Sequence, residues 1–258
     1  MTILEVFRAL GPIDAKSVGR DPMLRWLIFY PVLLAVLIRW GVPILRLRLI
    51  TRMNFDLQPY YPLLMSFVVV MTPTLAGTVI GFLLLDQRDD QTLTALQVTP
   101  LTLNGYFAYR IIAPTALSFA ITIVMFPITG LLDLPPLSVA AVALSSCLLA
   151  PLYALFLGTF ARNKVQGFAL AKGLGILLVP PLIAYFVRSP WQLLFGVDPL
   201  YWPAKFLWSL NSPGVAWVYW LVGILSHGTL LRLLMEPRWD LLRCLRRLGE
   251  FFGVRSEG

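Results

Sequence analysis

Charge is what this sequence has least of. Only 13% of its 258 residues are Asp, Glu, Lys or Arg, about half the roughly 25% of a soluble domain. Most of its surface must therefore face something other than water. Histidine occurs once, at His227, which excludes a haem or zinc site built on paired histidines. Any Ser-His catalysis could use only that residue. There are two cysteines, Cys147 and Cys244, one in an apolar run and one in the tail, with no metal-ligand or disulfide spacing. No G-x-x-x-x-G-K-[ST] loop is present, so the chain is not expected to bind ATP by that means. H-E-x-x-H and a paired-Asp phosphotransferase motif are missing too. A membrane-embedded enzyme is thus disfavoured, and no catalytic residue, metal ligand or bound cofactor is expected. The 13 acids fall almost entirely outside the apolar runs, whereas ion-coupled carriers place acids within them.

What the chain does have is apolar length. Hydrophobic residues make up 58% and the mean hydropathy is +0.77. A membrane span needs roughly 20 such residues. Spans are expected at about 26–45, 62–85, 108–132, 137–161, 166–187 and 214–235, giving an all-α integral membrane protein of six transmembrane helices in a single domain over 1–258. Short turns at 133–136 and 162–164 make the neighbouring helices antiparallel. Residues 1–25 form an amphipathic elbow: Ile3, Val6, Phe7 and Leu10 recur at helical spacing, then Gly11-Pro12 interrupts. No cleavable signal peptide is read, since the first apolar run begins near Trp26 without a small-residue cleavage site after it.

The net charge of +8 would suggest nucleic acid in a soluble protein. Here it reports orientation. Six spans put both termini on one side. Of the 21 Lys and Arg, only Arg39, Arg46, Arg48, Arg52, Arg188 and Lys205 then lie on the other. Basic residues favour the cytoplasm, so both termini are expected inside, at the bacterial inner membrane. The tail 236–258 repeats the amphipathic pattern, with Leu241, Leu245, Leu248 and Phe252 on one face and Arg243, Arg246 and Arg247 off it. It reads as a helix on anionic lipid, with a partner-binding helix as the alternative.

The stretch after the second span is unlike the rest. Asp86, Arg88, Asp89 and Asp90 precede Thr92-Leu93 and Leu96, then Thr99-Pro100-Leu101-Thr102. A plain connection would need only a few residues. A short helix held here could transmit force from a soluble partner, its apolar ridge in a groove and its charges fixing the register. Equally, it could rest on lipid.

This pattern, with Tyr106 and Arg110 after it, resembles the coupling-helix segment of type-2 ABC transporter permeases. The Arg20-Asp21-Pro22 start, the six-span order and the long segment between spans five and six, with 198–203 and 206–208, are similar to that family over nearly the whole chain. The likeness is greatest to the bacterial drug-export branch, the fluoroquinolone-export-permease-like proteins. The resemblance implies a non-catalytic export permease for a lipophilic or amphipathic substrate. It implies ABC ATPase subunits that bind ATP and Mg, and a second permease, identical or related. Asp86, Arg88, Asp89, Asp90, Thr92, Leu93, Leu96, Thr99 and Pro100 would form the ATPase-coupling set. The family usually has Gly before the Thr-Leu where this chain has Gln91, so the turn there differs or the helix starts earlier. A haem, lipid or polysaccharide export permease, and a stand-alone transporter or channel, remain alternatives.

Other candidates lie within spans. Gly77 and Gly81, and Gly167, Ala171 and Gly175, have the small-residue spacing that permits close helix approach in lipid. They serve either intrachain packing, a permease–permease interface or the pathway. His227 is an intramembrane ionisable group, a pathway candidate or a hydrogen-bonded core histidine. Arg39, late in the first span, reads as a snorkelling arginine or a substrate contact. Trp191, Tyr201, Trp202 and Trp208 among four prolines form an aromatic belt, or, by the resemblance, an outer re-entrant segment.

Overall fold

The computed structural model describes residues 3–89, 103–187 and 189–235. Among them the chain is helical and without strands. Six helical stretches are long and apolar enough to cross a membrane. The α-helices in chain order are α1 (Ile3–Arg20), α2 (Pro22–Met53), α3 (Tyr61–Asp89), α4 (Leu103–Thr129), α5 (Pro136–Cys147), α6 (Leu149–Phe160), α7 (Lys164–Leu174), α8 (Val179–Phe186), α9 (Tyr201–Trp208) and α10 (Pro213–Met235), and α1 and α9 belong to none of the six stretches. Spans four and five are each built from two pieces, α5–α6 and α7–α8.

Proline chemistry explains the breaks. Pro151 has no N–H for the carbonyl four residues earlier, and the helix breaks at Leu148, between α5 and α6. The freed Cys147 carbonyl accepts instead from the Ser118 hydroxyl at 3.4 Å. Pro180 and Pro181 likewise remove the donors for Ile176 and Leu177, and a 3-10 turn over Gly175–Leu178 joins α7 to α8. Pro12, by contrast, does not end α1, which stays helical through it. The expected break at Gly11-Pro12 is therefore absent.

The α2 helix runs well past the expected end at 45. Its last turns carry Arg46, Arg48 and Arg52 on helix rather than loop. Asn54 closes it in the left-handed conformation, φ 51°, which Asn tolerates better than most residues. Arg46 pairs with Asp56 at 2.7 Å and also donates to Gln58. This ion pair holds the exposed Asp56 carboxyl below its ordinary range.

At the centre stands α3, 83% of its apolar window buried by the rest of the chain, against 17% for α2, for span five and for α10. Its apolar residues are therefore core, and those of the peripheral helices are left for lipid. Gly77 and Gly81 make the central contact possible. A Cβ on Gly77 would sit 2.2 Å from the Ala150 carbonyl oxygen, and one on Gly81 2.9 Å from Leu157. Gly167 meets Leu85 and Phe82 in the same way, and Ala171 packs on that cluster. Gly175 has open space around it, so the small residues of span five do not act as one packed face within this chain.

The segment between α8 and α10 folds back into the bundle. A 3-10 helix over Pro190–Val197 leads to α9, whose Tyr201, Ala204 and Phe206 are fully buried. Leu200 and Ala204 pack with Val70, Leu149, Leu152 and Tyr153. Pro199 O accepts from His227 Nε2 at 2.8 Å. His227 lies deep along α10, roughly 20 Å from its start by helix rise, so the segment reaches mid-bundle depth. Asp198 and Leu200 are enclosed by protein there, whereas Trp191, Leu194 and Val197 of the 3-10 helix stay exposed.

Candidate functional site

One end of the bundle, the near end, carries α1, the last turn of α3, the first turns of α4 and the turn from α6 to α7. The stretch 90–102, with Asp90, Thr92, Leu93, Leu96, Thr99 and Pro100, lies outside the described residues, as does the tail 236–258. Asp89 is the last residue of α3, its side chain outside the described part. What the structure gives is the frame that holds both ends of that stretch.

Its first half is a buried polar cluster between α1, α3 and α4. Val6 and Leu10 of α1 pack on Tyr106 and Tyr109 of α4, so the elbow's apolar face lies on protein. Asp14 follows on the same face and is buried with it. Arg110 donates to its two carboxylate oxygens at 2.6 and 3.2 Å, a bidentate pair. The Tyr109 hydroxyl adds a third bond at 2.8 Å. Gln87 near the end of α3 accepts from Arg110 at 2.7 Å and from Tyr106 at 2.8 Å. The guanidinium also lies 5.2 and 5.3 Å from the rings of Tyr106 and Tyr109. A buried guanidinium side chain, 1% exposed, is stable only when so paired.

The second half ties α2, α3, α6 and α7 together. Asp21 caps α2, accepting from the backbone N–H of Met23 and Leu24 at 2.8 and 3.3 Å. Its other oxygen receives the Lys164 ammonium at 2.7 Å, and that ammonium also donates to Asp86 at 3.0 Å. The Lys164 bond, aided by the two backbone donors, holds the Asp21 carboxyl below its ordinary range. Arg88 donates to the carbonyls of Gly158 at 2.6 Å and Ala161 at 3.0 Å. These belong to the end of α6, where carbonyls lack helical partners and the dipole favours a cation.

Asp86 and Arg88 are thus on helix, not in a loop, and both are engaged within the chain. They fix where α3 ends, and Tyr106 and Arg110 fix where α4 begins. Lys164 ties Asp86 of α3 to Asp21 at the start of α2, and Arg88 ties the end of α3 to the end of α6. No cluster of His, Cys, Asp or Glu able to hold a metal occurs among the described residues. His227 is far from this frame. It is fully buried, with Nδ1 unpartnered.

Sequence reasoning placed Tyr106 and Arg110 in the motif but missed Asp14 and Gln87 as their partners. A signal for Asp14 existed. It lies four residues beyond Leu10 and eight beyond Val6, an acid on the apolar face of an amphipathic helix, which calls for a buried cation.

Residues 14–235 match the family model described as fluoroquinolones export permease protein Rv2686c-like. Two relatives from Mycobacterium tuberculosis strains, the fluoroquinolones export permease proteins Rv2686c and MT2760, are each 35% identical over 219 residues, covering 83% of this chain and 86% of theirs. No solved structure matches. Starting at Asp14 and ending at the last described turn of α10, the match takes in every span and the polar residues of the near-end frame, and the chain belongs to the Rv2686c-like family of fluoroquinolones export permease proteins.

Proposed function

We propose that this chain is the membrane-spanning subunit of an ATP-binding-cassette exporter. It moves a lipophilic or amphipathic substrate outward, of the fluoroquinolone type named for its relatives. A separate ATPase subunit binds and hydrolyses ATP with Mg, and engages the 90–102 stretch from the cytoplasm. Both termini are cytoplasmic, in the inner membrane. A second permease, identical or related, completes the pathway, and the segment 190–208 is a re-entrant element at its outer end.

The observation that carries this reading is the near-end frame. A loop that merely connects two spans needs no bidentate buried ion pair at one end and a two-carbonyl arginine clasp at the other. A loop that receives force needs both ends stiff, because slack would absorb the displacement. The family match adds the export function.

The test is fluoroquinolone accumulation in everted vesicles from cells carrying the chain and its ATPase. Transport should need ATP and fall to background in a Leu93→Asp, Leu96→Asp double variant that still inserts normally. Uptake driven by a proton gradient without ATP would transfer the chain to the stand-alone transporters.

A further inference from the structure

At the far end of the bundle, a cavity of about 410 Å³ opens between α2, α4 and α5. Its lining is mostly apolar, including Phe126, Pro127 and Val139, and it contains one cation, Arg39, with one carboxylate, Asp133. Arg39 has no hydrogen-bond or ion-pair partner among the described residues.

The guanidinium does not extend along α2 away from the bundle, as a snorkelling arginine would. It lies across the end of α4. Gly130, at φ +59°, closes that helix, and a Cβ there would sit 1.9 Å from Arg39 Nη1 and 3.0 Å from Cζ. Glycine is thus needed twice, for the left-handed turn and for the arginine's room. The last carbonyls of α4 give the cation some support. Helix rise places Arg39 roughly 25 Å from the start of α2, inside a hydrocarbon layer about 30 Å thick. Arg39 is exposed toward the outer edge of that layer, and an arginine fork is suited to a planar or tetrahedral anion.

We infer that this cavity is a binding site for an amphiphile with an acidic head group, carboxylate or phosphate, held by Arg39 with its apolar body against Phe126, Pro127 and Val139. Two sources share that chemistry: an anionic membrane lipid and an acidic lipophilic solute on its way out. Occupancy requires no ATPase partner, so the inference stands or falls apart from the coupling mechanism.

The test uses the full chain in phosphatidylcholine nanodiscs with dansyl-aminoundecanoic acid as the probe and its uncharged methyl ester as the comparison. A charge-assisted hydrogen bond is worth about tenfold or more in affinity. The acid should therefore bind about tenfold more tightly than the ester. Arg39→Gln should bring the acid down to the ester's affinity and leave ester binding unchanged, which also shows that the variant is folded. Val139→Trp should weaken both ligands by filling the cavity. Equal binding of acid and ester to the native chain, or full acid affinity in Arg39→Gln, would overturn the site. Phosphatidylglycerol discs separate the sources: loss of probe binding identifies lipid as the occupant, and retained binding identifies an acidic solute.

Discussion

Replacing Gly77 with alanine probes the contact on which the bundle depends. The alanine Cβ would lie 2.2 Å from the Ala150 carbonyl oxygen and 2.9 Å from both its Cα and its carbonyl carbon. Carbon–oxygen contacts begin at about 3.3 Å, so α3 and α6 must separate locally by ~1 Å. The obstacle is backbone, which cannot rotate aside as a side chain would. Overpacking of this kind costs about 1–3 kcal/mol, and the rigid neighbour places this case near the top of that range. Alanine returns ~1 kcal/mol in helix propensity, leaving a net loss of ~2 kcal/mol. For a chain of this size each kcal/mol shifts the melting temperature by about 2–4 °C. The Gly77→Ala protein in detergent should melt about 4–8 °C lower. Gly41→Ala supplies the control, since that glycine is also mid-helix but has nothing within 4 Å. It should melt at the native temperature or slightly above it. If the two variants melt together, close approach at Gly77 does not hold α3 to α6, and the packing argument fails.

Removing one member of the buried pair strands the other. Asp14→Asn or Arg110→Met alone should cost about 3–5 kcal/mol, whereas the double variant should recover much of it. Strict additivity in the thermal-melt cycle would contradict the pairing. Arg88→Ala should release the end of α6, seen as faster amide exchange at 158–161 with the near-end cluster of Asp14 and Arg110 unchanged. Unaltered exchange there would remove Arg88 from its clasp.

The six spans were legible because each is a long apolar run, and hydrocarbon leaves the backbone few alternatives to helix. Their internal breaks were not. Pro151 and Pro180-Pro181 coincide with breaks in their helices, whereas Pro12 is absorbed in α1. Arg46, Arg48 and Arg52 looked like loop charges because they end an apolar run. The αL cap at Asn54 and the pair with Asp56 carry the helix past them instead. The Gly77–Gly81 spacing announced close packing without naming the partner, which only the fold supplies. The near-end frame was half visible. Tyr106 and Arg110 stood out in the motif, but their partners Asp14 and Gln87 are distant in sequence and adjacent only after α1 docks. The aromatic stretch 190–208 read equally as belt or inserted segment, and only the fold supplies the contact from His227 to Pro199.

The central claim is that force reaches this bundle from a separate ATPase through residues 90–102. Affinity purification of the tagged chain in mild detergent, with identification of what accompanies it, addresses that most directly. An ATPase subunit carrying a phosphate-binding loop should accompany the chain and be lost when Leu93 and Leu96 are changed to Asp while the chain itself is recovered in full. Recovery of this chain alone, with transport intact, would contradict it.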